Sequence, residues 1–199
     1  MKLVLDWDGT CTVHDSLVAA VHALGDPSVY DRDFGSYGEA LAAEVGTLRA
    51  TAEEAAEWAL ENVQVRPGFH ELVERYDPVI VSSGLPQLIL PVLGREGVEL
   101  DVRSNFADPA PDGWRLRFRH QGPCPVCGDR CKRRSLPAER PLVFVGDGYS
   151  DRCASLACDR VFARDGLARY LLEEGVDFEP FGSLRDVAAA LVSDTFEGV

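Results

Sequence analysis

The chain has 199 residues, a formal net charge of −13 and 46% hydrophobic residues, with a pI near 4.7. That length suits one domain with an insertion and is enough to bury a proper core. The acidic balance opposes nucleic acid or an anionic membrane as the main partner.

No apolar run approaches the roughly 20 residues of a membrane span, and no charged leader precedes an apolar stretch, so a cytoplasmic protein is expected. The six cysteines, at 11, 124, 127, 131, 153 and 158, cluster unevenly. They do not resemble a secreted disulfide framework and fit a reducing compartment.

The chain opens on Leu3-Val4-Leu5, a buried-strand signal that delivers Asp6 and Asp8 into a turn at Gly9. Alternation points the two aspartates the same way. Such a pair asks for a shared proton or a cation, because each carboxylate raises the other's pKa, and magnesium would meet that need. Leu17, Val18, Val21 and Leu24 then mark a helix ending near Gly25. Beyond an Asp-rich linker, Tyr37, Leu41, Val45 and Leu48 recur at helical spacing, and Thr51-x-x-Glu54 reads as a capping box for a helix through Asn62. Residues 14–66 therefore form a helical insert, either a cap over a site or one flank of the domain.

Arg66-Pro67-Gly68 resets the pattern into a helix carrying Phe69, Leu72 and Val73. The strand Pro78–Val81 ends in Ser82-Ser83-Gly84, which is either a helix cap or an anion site of hydroxyls and amides ahead of a helix through Arg95, with Pro91 a place for a kink. Leu100–Phe106 is extended. Trp114 to Arg119 alternates, giving a β-hairpin with Trp114, Leu116 and Phe118 on one face and three arginines on a solvated one.

Leu142–Val145 is a third buried strand leading into Gly146-Asp147, with Ser150 or Asp151 free to cap the helix that follows. A fourth strand at Val161–Ala163, a helix from Gly166 to Glu174 and an amphipathic helix opened by Ser183-x-x-Asp186 complete the chain. Regular strand and helix alternation predicts an α/β fold, a Rossmann-like parallel sheet with helices on both faces. Ligands of such sheets sit beyond the carboxyl ends of strands, where Asp6, Ser82 and Asp147 all fall.

These segments carry a resemblance. Asp6-x-Asp8-Gly9-Thr10, Ser82 and Gly146-Asp147-x-x-x-Asp151 resemble the first, second and fourth motifs of the haloacid dehalogenase superfamily phosphatases. The resemblance implies an α/β core of residues 1–13 and 67–199, a cap of residues 14–66 and a hairpin flap. It implies a phosphatase in which Asp6 attacks phosphorus to form an aspartyl-phosphate, and Asp8 protonates the leaving alcohol and then activates water. Asp6, the Asp8 backbone carbonyl and Asp147 would hold Mg2+, with Asp151 assisting. Ser82, Ser83, Gly84 and a third-motif lysine would bind phosphate. Lys132 lies where that lysine belongs, and the chain has only two lysines against eighteen arginines. A plain surface lysine beside Arg133 and Arg134 is the alternative.

The cap and flap resemble the phosphoserine phosphatase branch, where an acid at the position of Asp15 grips the substrate amine. Glu44 stands where that branch carries an arginine for the substrate carboxylate, which disfavours phosphoserine. Cys124-x-x-Cys127-Gly128 and Cys131 beside Lys132 resemble the 2-hydroxy-3-keto-5-methylthiopentenyl-1-phosphate phosphatases and the phosphoethanolamine/phosphocholine phosphatases. The partner so implied is a small phosphorylated metabolite.

Cys-Pro-x-Cys-Gly is also a zinc-gripping turn, which Cys131 and His120 would complete as a structural Zn2+ site. Reduced thiols packed near Lys132 are the other reading. Cys11, Cys153 and Cys158 are expected as small core residues. Phosphotransfer to a second alcohol and a non-catalytic zinc-binding regulator stay as alternatives to hydrolysis.

Overall fold

The computed structural model of the chain describes residues 1–193, and its organising element is β1 (Lys2–Leu5). Leu3 and Leu5 enter one apolar cluster while Val4 enters another on the opposite face. A strand buried on both faces reads as a continuous apolar run, which is why it was visible in the sequence. No regular strand continues past Asp6. Residues 7–11 form a tight turn with Gly9 at φ 76°, so the turn, and not strand alternation, aims Asp6 and Asp8 into a common cavity.

The chain then enters α1 (Ser16–Leu24), α2 (Tyr37–Gly46) and α3 (Ala52–Asn62). Asp15 caps α1, Ser36 caps α2 and the Thr51/Glu54 capping box is present. A single 3-10 turn, Pro27–Asp31, occupies the linker expected to be irregular. The insert returns where it left: Thr12 bridges Val65 in antiparallel fashion, Val13 N donates to Gln64 O at 2.9 Å and Arg66 N to Cys11 O at 2.7 Å.

Next come α4 (Phe69–Tyr76), β2 (Val79–Val81) and α5 (Pro86–Arg95), which runs through Pro91. They are followed by β3 (Val102–Arg103), β4 (Phe106–Asp108) and β5 (Arg115–Arg117). The last two form the expected antiparallel hairpin. Its Trp114 is buried and donates Nε1–H to Ala50 O at 2.7 Å, tying the flap to the helical insert. Arg115 and Arg117 stay on the solvent side, paired with Asp112 and Asp108.

The remaining elements are β6 (Leu142–Gly146), α6 (Arg152–Ser155), β7 (Arg160–Ala163), α7 (Asp165–Glu173), β8 (Glu179–Pro180) and α8 (Leu184–Ser193). The main sheet is β3-β2-β1-β6-β7-β8, parallel throughout. Chain direction reverses its progress across the sheet between β1 and β6, the position at which a parallel sheet opens a crevice beyond its strand ends. Asp6 and Asp147 stand on the two sides of that opening. β3 lies within the stretch 100–106 expected to be extended, whereas β8, two residues long, is too short to carry a period and has no counterpart in the sequence reading.

Candidate active site

Three carboxylates meet at the crevice: ligand oxygens of Asp6, Asp147 and Asp151 lie within 4.8 Å of one another. Each arrives by a different route. Asp6 ends β1 and is held by its own N–H donating to Val145 O at 2.9 Å, while its Oδ1 accepts Trp7 N–H at 2.5 Å. Asp147 follows β6, and Thr10 Oγ1 donates to its Oδ1 at 2.7 Å. Asp151 is fully buried. Its Oδ2 accepts the amides of Asp147 and Gly148 at 3.0 and 2.9 Å. This corrects the expectation of a side-chain cap from Ser150 or Asp151 on the next helix: α6 has no side-chain cap and is a single turn, Arg152–Ser155. The carboxylate turns back over the loop and holds Asp147 in place.

Lys132 is buried between Asp6 Oδ1, at 2.5 Å, and Asp151 Oδ1, at 2.7 Å, so the surface-lysine alternative is set aside. Burial alone would lower the ammonium pKa, but the two carboxylates override it and hold the group well above its usual value. Asp6 is pushed far up, first by burial and then by Asp151, with Lys132 opposing. Asp147 is raised by burial and Asp151. One ammonium does not balance three crowded carboxylates, and a set of hard oxygen donors with a charge deficit fits a magnesium ion.

Asp8 lies beside this cluster. Its Oδ1 accepts Ser16 N–H at 2.9 Å and the Ser16 hydroxyl, and its Oδ2 is 3.4 Å from the Ser82 hydroxyl. Burial raises its pKa, and the Ser16 hydrogen bonds offset part of the rise. Ser82 Oγ also accepts Gly84 N–H at 2.8 Å, and Asn105 Nδ2 donates to Ser83 O at 2.8 Å, so this loop is pinned in a tight turn. Two glycines have steric reasons. A Cβ on Gly84 would sit 2.6 Å from Asp8 Oδ2, and one on Gly9 would sit 2.5 Å from Asp147 Oδ2. Either side chain would push apart the groups that converge here.

The crevice opens into a cavity of about 230 Å³ lined by Asp6, Asp8, Lys132 and Asp147 at its floor and by Asp15, Tyr37, Leu41 and Glu44 above. Asp15 is pushed up to about 7 by burial and the nearby Asp8 charge, and Glu44 to about 7 by burial. Tyr37 lines the cavity together with Ser83 and Ser150, so α2 faces both loops of the floor. Every residue expected at the site is thus gathered at this crevice, Ser83 and Gly84 among its lining.

Four contributors were not foreseen. Thr10 was quoted only as a motif letter, whereas Ser16 and Tyr37 carry no sequence signal. Arg66 is the largest omission: buried beneath the first turn, it donates to Thr10 O at 2.9 Å and to Gly9 O at 2.7 Å.

The cysteines depart from expectation at one position. Sulfurs of Cys124, Cys127, Cys131 and Cys153 lie within 4.8 Å of one another. Cys153 is therefore part of this group and not simple core. His120, expected as the fourth member, instead has Nε2 2.9 Å from Ser135 Oγ. Cys11 is in the core as anticipated.

No family model matches the chain. A curated 2-hydroxy-3-keto-5-methylthiopentenyl-1-phosphate phosphatase of Bacillus cereus is 21% identical, covering 96% of this chain and 95% of the relative. A solved HAD family hydrolase of Salmonella enterica serovar Typhi superposes with a TM-score of 0.67 at 14% identity, over 90% of this chain and 66% of that one. A phosphoserine phosphatase solved as an analogue of its phospho-aspartyl intermediate superposes with a TM-score of 0.67 at 16% identity, over 95% and 98% of the two chains. This is a haloacid dehalogenase fold of the phosphoserine phosphatase-like kind. In this chain the loop after β1 is Asp6–Thr10, and the crevice beside it faces the helical insert. No helix among its described residues is long and apolar enough to cross a membrane.

Proposed function

We propose that the chain is a magnesium-dependent phosphatase that hydrolyses a small-metabolite phosphomonoester through an aspartyl-phosphate on Asp6. It is a phosphoric monoester hydrolase. The observation that carries the reading is the buried Lys132, 2.5 Å from Asp6 and 2.7 Å from Asp151, with Asp8 and Asp147 around the same cavity. A binding protein has no need of a second buried acid at position 8.

In this reading Asp6, the Asp8 carbonyl and Asp147, with Asp151 behind them, would hold Mg2+, which when bound would supply positive charge to the phosphoryl oxygens. Lys132 adds an ammonium on the other side, and Ser82 with the amides of Ser83 and Gly84 orients the group. An Asp6 carboxylate oxygen attacks phosphorus in line, and the phosphorus–alcohol bond breaks. Asp8 gives its proton to the departing oxygen, which requires a carboxyl that is still protonated; burial raises its pKa in that direction. The ionised Asp8 then takes a proton from water as the water oxygen attacks phosphorus. The bond to Asp6 breaks, which restores both carboxyl groups and releases phosphate.

Residues 14–66 act as a cap and residues 1–13 with 67–193 as the core, the remaining 194–199 of that expected core lying outside the described residues. On the leaving-group side the cap offers Asp15 and Glu44. Two acids facing one cavity favour an alcohol without a carboxylate. Phosphoserine is then a poor substrate, and 2-hydroxy-3-keto-5-methylthiopentenyl-1-phosphate and phosphoethanolamine are the better candidates.

The test is phosphate release from these three compounds and a generic phosphomonoester, with and without Mg2+, for the wild type and Asp6→Asn. Turnover that needs both Mg2+ and Asp6, with phosphoserine the slowest of the metabolites, is the expected result. Equal release by Asp6→Asn, or none from any compound, would overturn the proposal.

A further inference from the structure

The cysteine cluster forms a second site, separate from the carboxylates. Cys124 and Cys127 lie on one tight turn, in which Gly128 N–H donates to Cys124 O at 2.9 Å and Cys124 N–H to Asp129 O at 2.7 Å. The Val126 amide donates to Cys124 Sγ at 3.4 Å. Amide hydrogens directed at a sulfur stabilise it as a thiolate, the form that binds metal. Cys131 comes from the chain immediately after this turn and Cys153 from α6, so the four sulfurs come from two separate segments.

Their spacing is that of a shared ligand sphere. Cys124 Sγ and Cys153 Sγ are 4.0 Å apart, and all four sulfurs lie within 4.8 Å of one another. A zinc ion with four thiolates at about 2.3 Å holds them about 3.8 Å apart in a tetrahedron. A disulfide needs about 2.05 Å, well short of the Cys124–Cys153 separation.

We propose that Cys124, Cys127, Cys131 and Cys153 bind one structural zinc ion that fastens the loop carrying Lys132 to the segment carrying Asp151. The placement explains what the site is for. Cys131 directly precedes Lys132, Cys153 follows Asp151 by two residues, and Lys132 and Asp151 contact each other at 2.7 Å. The same loop reaches the insert through Asp129, whose carboxylate accepts Tyr37 N–H at 3.1 Å and Gly38 N–H at 3.3 Å at the start of α2. Arg133 Nη1 adds a bond to Cys153 O at 3.1 Å. The segment from 120 to 131 otherwise has no regular helix or strand. The metal stands in for the apolar core that so short a loop cannot build.

The experiment is metal analysis of chain purified under reducing conditions without chelator, alongside Cys153→Ser, His120→Ala and Asp147→Asn. One zinc per chain is expected in the wild type, in His120→Ala and in Asp147→Asn, and none in Cys153→Ser. To keep the test independent of how Cys153→Ser folds, the wild type is also exchanged with Co2+. Intense sulfur-to-cobalt charge-transfer absorption with tetrahedral d–d bands is the expected signature. Titration should also show four of the six thiols becoming reactive only after a chelator is added. Wild type without zinc, iron in its place, disulfides among these cysteines, or zinc lost equally from His120→Ala would each overturn the assignment.

Discussion

Replacing Arg66 with Met tests whether the first-motif turn is held from below. The guanidinium is buried and donates to Thr10 O at 2.9 Å, Gly9 O at 2.7 Å, Thr12 O at 3.1 Å, Val13 O at 3.3 Å and Gly182 O at 3.4 Å. Four of these carbonyls belong to the turn after Asp6 and the start of the insert. Methionine keeps much of the stem's packing and removes every donor. A hydrogen bond to a charged group contributes about 1.5–3 kcal/mol, and a buried acceptor left alone costs about 1–3 kcal/mol. Against this, the variant recovers the desolvation cost of a buried guanidinium. Counting the three shortest bonds at about 1 kcal/mol net each gives about 3 kcal/mol. At about 2–4 °C per kcal/mol for a chain of this size, the melting temperature should fall by about 6–12 °C. Arg66→Lys, with a compact ammonium that reaches fewer carbonyls, should fall between. Thermal unfolding followed by circular dichroism and by fluorescence measures this, with coincident transitions as the two-state check. Turnover should also drop, by about 100-fold for a displacement near 1 Å at Asp8. A Met variant that melts within about 2 °C of wild type with unchanged kcat would refute the reasoning.

Lys132→Met leaves Asp6 and Asp151 buried without their ammonium, so stability should fall by about 3–5 kcal/mol and kcat by at least about 100-fold, read by urea unfolding and phosphate release. Glu44→Arg should raise kcat/KM for phosphoserine relative to phosphoethanolamine; no change in that ratio would remove Glu44 from substrate choice. Burial pushes the Asp15 and Glu44 carboxyls up to about 7 in the folded chain, from the ordinary carboxylate range. The folded state therefore holds their protons more tightly than the unfolded state, and stability should decline as pH rises from the unfolded values to about 7 and level off above. Glu44→Gln should flatten that decline in melts taken across the window.

What could be read from the chain beforehand was whatever is local. The runs Leu3–Leu5, Val79–Val81 and Leu142–Val145 are buried on both sheet faces, so each announces itself without its neighbours, and Thr51 with Glu54 forms its cap within one turn. Asp6, Ser82 and Asp147 were legible because polar groups at strand ends repeat a motif spacing, and Lys132 because it is one of only two lysines in the chain. The parts that escaped depend on distant partners. Arg66 meets carbonyls more than fifty positions away in the chain, and backbone acceptors leave no mark in a sequence. Cys153 joins three cysteines from another segment, and nothing near it in the chain distinguishes it from a core thiol. His120, expected as the fourth member, lies nearer in sequence to the other three than Cys153 does, but its ring is directed to Ser135.

The pairing of Thr12 with Val65 has a bearing on how such a chain can change. The two ends of the helical insert are stitched side by side, so its length and composition are invisible to the register of the sheet. Helices between these stitches can be lengthened, swapped or recharged while Asp6 and Asp147 keep their separation. Under the proposed function, choice of substrate and cleavage of phosphate are thereby left to parts of the polypeptide that can vary at different tempos.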